Sequence, residues 1–231
     1  MSDPDAYVML ISSFPSSEKL FLAKRPPLSR LKLRQRLRTL PPEHAATLQL
    51  VDDALNWGRL PITASDADVI ARGRAALSQI KSETLRAIVL ERLELRTAVS
   101  ALRRRAHGEG PPADGAPWGF GRWVGHIVRN WSEPGFGLDR VFPWLREADG
   151  LLRADDPVGL ERLILDQAQR LLQRHAAFHT FDFEAVVIYV LKWNIFDRWA
   201  RANGTAAIAR FDDMTAAGLG AFAELSFEES A

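Results

Sequence analysis

Apolar residues recur along most of this chain at spacings of three and four, the mark of helices with one buried face. The clearest run is Leu85, Ile88, Leu95, Val99, Leu102 and Ala106. It predicts a long helix from Glu83 to about His107, capped by Ser82. The helix ends on Arg103-Arg104-Arg105, where its dipole favours cations. Leu160, Ile164, Leu171, His175 and Phe178 share a second apolar face. Asp155-Asp156-Pro157 marks its start: a capping aspartate, then proline at the first helical position. A third helix is expected from Asp182 to about Asn203. Its first half is apolar on nearly all sides (Phe183, Val186 to Leu191), which suits a central position. Its second half carries a polar stripe of Asn194, Asp197, Arg198 and Arg201.

Shorter elements fill the rest. Ser29 can cap a helix to about Leu40, stopped by Pro41-Pro42, because proline lacks an N–H and disfavours helix in the residue before it. Pro42 opens a helix to Trp57, ended by Gly58. Thr63 or Ser65 opens another, with Asp66 and Asp68 in its first turn. Trp118 to about Trp131 reads as a helix, Pro134 to Gly137 as a turn, and Asp139 to Ala148 as a short helix. From Thr205 the chain is alanine-rich and weakly helical. Ala6 to Phe14 is a short apolar run ended by Pro15, and its period does not separate a strand from a buried helical turn. The expected fold is therefore all-α, a multi-helix bundle of about eight helices with a short N-terminal strand or turn. Gly108 to Pro117 holds three glycines and three prolines, which suggests a linker. The expected division is a helical lobe over 1–107, a linker over 108–117 and a second helical lobe over 118–231.

Composition narrows the function classes. There are no cysteines among the 231 residues, which excludes a disulfide framework, cysteine-ligated metal and a thiol nucleophile. Thirty basic residues against 29 acidic ones leave a formal charge of +1, so the chain is not a general polyanion binder. No apolar run approaches the ~18 residues of a membrane span, and the polar start does not read as a secretory signal. A cytoplasmic protein is expected.

Several groupings offer chemistry, and each has a structural explanation. Gly119-Phe-Gly121-Arg-Trp-Val-Gly125 superficially matches a dinucleotide loop, but its last glycine comes one residue late and no strand precedes it. Glycines between Trp118, Trp123 and Trp131 instead allow close helix packing. His175 and His179 lie four apart and could share a metal, yet no HExxH pattern or further ligand set accompanies them. Asp155-Asp156 is explained by capping, and Asp212-Asp213 lies near a weak helix. Ser12-Ser13 and Ser16-Ser17 flank Pro15 without a nucleophile-elbow context. The seven tryptophans suit helix–helix cores, with one or two available as interface anchors. No catalytic residue, cofactor or metal is expected.

Lys19 to Arg38 is the most suggestive stretch. It carries eight basic residues and no acid. Arg30, Arg34 and Arg38 would form one stripe of a helix, either a docking face for an acidic protein or a solvated surface. Arginine suits the former, being planar and less strongly hydrated than lysine. Nucleic acid is not an expected partner, because neither a recognition module nor a strong basic excess is present.

Four segments together resemble a bacterial family encoded beside the genes of V-type (A/V-type) ATPases. They are Tyr7-Val-Met-Leu-Ile-Ser-Ser-Phe-Pro15, Pro134-Gly-Phe-Gly-Leu138, Asp155-Asp-Pro-Val-Gly-Leu-Glu-Arg162, and the helix Phe181-Asp-Phe-Glu-Ala-Val-Val-Ile-Tyr-Val-Leu-Lys-Trp-Asn-Ile-Phe-Asp-Arg-Trp199. The family is similar to the d/AC39-like subunit of V-type ATPases, an all-helical adaptor that joins the central shaft, or central stalk, to the membrane rotor ring. The resemblance implies a non-enzymatic subunit whose partners are shaft and ring subunits. It would lie in the cytoplasm, peripheral to the inner membrane through that complex. Three readings stand beside it: a helical adaptor or regulator unrelated to ATPases, a metal-dependent hydrolase using His175 and His179, and, behind these, a nucleic-acid binder using the 19–38 stretch.

Overall fold

The computed structural model describes residues 4–16, 21, 25–56, 64–113 and 115–202, with side chains from Tyr7 onward. Every regular element among them is helical, so the fold is all-α. In chain order these are α1 (Pro4–Ser12), α2 (Arg30–Leu37), α3 (Pro42–Leu55), α4 (Asp66–Gln79), α5 (Glu83–Ala106), α6 (Val124–Arg129), a 3-10 turn (Pro134–Gly137), α7 (Leu145–Arg153), α8 (Pro157–Ala176) and α9 (residues 183–202). No helix among the described residues is long and apolar enough to cross a membrane.

The N-terminal apolar run is helix α1, settling the choice between strand and helical turn. Tyr7 and Leu10, three residues apart, are its buried face, while Met9 is 72% exposed. The capping signals act as the sequence suggested. Ser29, Ser82 and Asp156 each accept a backbone N–H from the first turn of α2, α5 and α8. Ser65 and Asp68 exchange side-chain-to-backbone hydrogen bonds in a capping box at α4.

Two elements are shorter than their pattern implied. Residues 118–123 are not helical, and only Val124–Arg129 of the expected Trp118–Trp131 helix forms. The backbone N–H groups of Phe120 and Arg122 donate to Thr97 Oγ1 (2.8 Å) and Glu94 Oε1 (3.0 Å), which holds this stretch against α5 in a non-helical course. Residues 139–144 form turns instead of the start of a helix, and α7 begins at Leu145. Pro143 disfavours helical geometry at Phe142 and removes an N–H.

Two apolar clusters form the core. One joins Tyr7, Leu33, Leu48 and Val51 to the front of α5 (Leu85 to Leu93), the back of α8 (Leu165 to Leu172) and α9. The other joins the back of α5 (Leu95 to Leu102) to α6, the 3-10 turn, α7 and the front of α8 (Leu160 to Ile164). Helices α5 and α8 each pass through both clusters, in opposite senses. Helix α9 is central to the first, as its apolar girth suggested, and buries Val186, Val187, Ile188, Trp193 and Trp199. Its polar stripe points at neighbours: Asn194 donates to Asp52 (2.8 Å), Arg198 to Glu161 (2.9 Å) and Arg30 to Asp197 (2.6 Å).

Candidate functional site

Helix α2 carries Arg30 and Arg34, and Arg38 directly follows it. Leu33 is its buried anchor, and two bonds fix its orientation. Arg30 pairs with Asp197 on α9 and lies over the Trp193 ring (5.7 Å), while Arg36 donates to the carbonyl of Ser13 after α1. Arg30, though half-exposed, is therefore paired within the fold. Arg34 and Arg38 are exposed and make no side-chain hydrogen bond or ion pair with the described residues. Arg38 follows the last helical residue but keeps helical dihedrals (φ −65°, ψ −17°), so it stays in phase with the helix. Leu31, 68% exposed, lies three residues before Arg34 and seven before Arg38. The outward stripe is thus Leu31, Arg34 and Arg38, a displaced version of the one the spacing implied. Lys19 and Lys24 lie outside the described residues.

The two histidines do not converge. Helix α8 ends at Ala176, so His179 leaves the helical phase of His175. His175 Nε2 faces Glu91 at 3.5 Å. His179 bonds Thr84 Oγ1 through Nε2 (3.1 Å) and Asp182 Oδ2 through Nδ1 (2.7 Å). His179, Asp182 and Glu184 do gather within 4.8 Å of one another. Each is already used: Glu184 accepts from the Ser82 hydroxyl (2.6 Å), and Asp182 accepts the Ala185 N–H (2.8 Å) at the start of α9. Together they fasten the starts of α5 and α9. Phe178, expected on the apolar face of α8, is 84% exposed in the turn beyond it. Asp212-Asp213 lies outside the described residues.

Pro134-Gly-Phe-Gly137 is a structural knot. Gly135, Phe136 and Gly137 all have positive φ (55°, 57° and 66°), and Phe136 is fully buried. A bulky residue in that region costs roughly 1–2 kcal/mol. Burial of the ring offsets it, together with Arg105, whose guanidinium sits 4.4 Å from the ring and donates to the carbonyls of Trp131 (3.0 Å) and Glu133 (2.8 Å).

The glycine-rich segment read as a false dinucleotide loop borders a half-open cleft of about 660 Å³. One wall is α4, with Ile70 and Arg74; the other is α6, with Val124, Val128 and Arg129. Residues 115–121 run between them, with Trp118 and Phe120 among the lining residues. Two buried residues of α5 hold this stretch from beneath. Thr97 accepts the Phe120 N–H, and Glu94, whose side chain is 2% exposed, accepts the Arg122 N–H with the Arg122 guanidinium 3.4 Å away. Gly121 has φ +95°, and a Cβ there would lie 2.3 Å from Glu94 Cγ. Close approach to α5 is what these glycines supply, in place of a nucleotide site.

Burial shifts several groups elsewhere in the helical frame. It lowers the Arg92 guanidinium to about 10, with Arg198 adding repulsion and Glu161 opposing it. Desolvation also lowers Lys192 on α9 and raises the Tyr189 phenol to about 12, where its hydroxyl donates to Pro15 O (3.1 Å). These groups belong to the packing of the helices and do not line the cleft.

Sequence reasoning missed the cleft because its charged residues, Arg74 and Arg129, are 55 positions apart. The one local signal was the run of glycines from 115 to 125, which reads equally as linker or packing. No protein-family profile matches this chain, and no curated protein or solved structure shows significant similarity to it.

Proposed function

We propose that this protein is a non-catalytic adaptor of a bacterial V-type ATPase, resembling its d/AC39-like subunit, that docks through the outward face of α2. The observation that carries the docking surface is the Leu31, Arg34 and Arg38 stripe on a helix held at both ends. Because Arg30 and Arg36 already orient α2, little side-chain or backbone freedom outside the stripe has to be ordered on binding. Exposed arginines beside an exposed leucine suit an acidic surface with an apolar centre. The partner assignment, to shaft and rotor-ring subunits, rests on the four resembling segments. A helical scaffold with cores shared along two long helices suits a part that transmits force between partners.

The test is a mild-detergent pull-down of the tagged protein from its host, with co-purifying chains identified by mass spectrometry. V-type ATPase catalytic, shaft and ring subunits are expected with the wild type. They should be lost from Arg34→Glu/Arg38→Glu, whose urea midpoint should match the wild type. Recovery of unrelated partners or a clean monomer refutes the ATPase reading, and undiminished assembly by the double variant refutes the docking face. Arg30→Glu is the contrasting control: it places a carboxylate against Asp197 and should lower the urea midpoint.

A further inference from the structure

We infer that the cleft between α4, residues 115–121 and α6 is a docking groove for a short acidic and aliphatic segment of a partner protein. This goes beyond the adaptor reading and uses a different surface from α2.

Charge gives the first argument. Arg74 and Arg129 are the charged residues lining the cleft; no described carboxylate lines it. Both are exposed, and neither makes an ion pair or side-chain hydrogen bond with the described residues. Some arginines elsewhere on the molecule are satisfied by close carboxylates, as at Arg146–Asp139 and Arg198–Glu161, and others stand exposed as these two do. Glu94, the nearest buried acid, faces Arg122 beneath the glycine stretch and is spent there. The cleft therefore presents two cations, one from each helical wall, with no internal counter-charge among the described residues.

Shape gives the second. Ile70, Val124 and Val128 supply aliphatic wall, and Gly125 leaves the α6 side of the trough without a side chain. Gly125 is the telling position: a Cβ there would sit 3.3 Å from Arg129 Nη1, so the guanidinium lies over the bare helix surface at the cleft. The hydrogen bonds from Thr97 and Glu94 hold residues 120 and 122 against α5, so the trough does not have to be ordered on binding. The half-open mouth decides between ligand classes. A small molecule is normally buried over most of its surface, and this cleft would leave one side in water. A polypeptide segment needs only one covered side, because its own protein covers the other. Carboxylates matched to the arginines and aliphatic side chains matched to the walls define its chemistry.

The experiment is a phage-displayed library of random peptides of about twelve residues, selected on the full chain. Recovered peptides are then measured by fluorescence anisotropy. Enrichment of Asp and Glu together with Leu, Ile or Val is expected. Affinity should fall roughly tenfold or more in Arg74→Glu/Arg129→Glu, weaken with added salt, and stay unchanged in Arg34→Glu/Arg38→Glu. Gly125→Leu, which fills the trough without changing charge, should also abolish binding. Both arginines are exposed, so their variants should keep the wild-type urea midpoint. A selection that yields no binder, peptides without acidic enrichment, or full affinity in Arg74→Glu/Arg129→Glu each overturns the inference. So does tight, Arg74-dependent binding of the small anion 8-anilinonaphthalene-1-sulfonate when no peptide binds. Because the α2 variant leaves this groove intact, failure here and failure of the ATPase reading are separate results.

Discussion

Replacing Gly121 by alanine tests the way the cleft is built. The residue sits at φ +95°, where an L side chain is strained, at a cost of roughly 1–2 kcal/mol. The added methyl would also lie 2.3 Å from Glu94 Cγ and 2.7 Å from Oε1, too close for either atom to remain. Glu94 must then move, breaking its charge-assisted bond to the Arg122 N–H, which is worth about 1.5–3 kcal/mol. The two effects together predict a loss of about 3–5 kcal/mol, a large share of the ~5–15 kcal/mol that holds a typical domain. With a urea slope near 2 kcal/mol per molar, the unfolding midpoint should fall by about 1.5–2.5 M. A double-mutant cycle isolates the clash. In a Glu94→Ala background the obstructing atoms are gone, and Gly121→Ala should cost only the backbone strain, leaving a coupling of roughly 2 kcal/mol. Equal cost in the two backgrounds would refute the close approach, and a midpoint unmoved by Gly121→Ala would refute the backbone argument as well.

Two further expectations concern the helical frame. Burial holds the Lys192 ammonium below its usual value, so the unfolded chain binds that proton more tightly and stability rises as pH climbs through the folded value toward the ordinary ~10.4. Lys192→Met should therefore raise the urea midpoint at neutral pH, with the gain vanishing above that range; a gain independent of pH would remove desolvation as its cause. Residues 1–107 expressed alone should give no cooperative unfolding transition, because their main apolar cluster lacks Leu165 to Leu172 and α9; a sharp two-state melt of that fragment would show an autonomous lobe.

What the sequence made legible was local. Serine and aspartate caps, proline stops and three–four spacing locate α2 to α5 and α8 closely, because each signal acts within one or two turns. Misreadings arose where a distant group held the chain in a non-helical course. Trp118 to Trp131 has helical composition, yet Thr97 and Glu94, more than twenty residues away, capture the N–H groups of Phe120 and Arg122. Buried polar residues on an otherwise apolar helix face were the available hint, since Glu94 and Thr97 need partners once they are covered. Glycine and proline between 108 and 117 mark a break in secondary structure, and say nothing about which faces later meet.

The candidate surfaces show the same limit at the level of charge. A stripe at spacing four identifies which arginines share a helix face, but the identity of that face depends on where the helix is pinned. Asp197, 167 residues from Arg30, pairs with the first member of the stripe at the surface and leaves the exposed Leu31 to lead the unpaired row. In the cleft the reverse happens: Arg74 and Arg129 share no local pattern at all and become neighbours of one cavity because α4 and α6 flank the same glycine stretch. Local periodicity therefore ranks surfaces by composition, while long-range packing decides which charges are spent within the fold. Among the arginines left without a carboxylate, those that stand together with apolar surface, at positions 34 and 38 beside Leu31 and 74 and 129 at the cleft, are where partner binding should be sought.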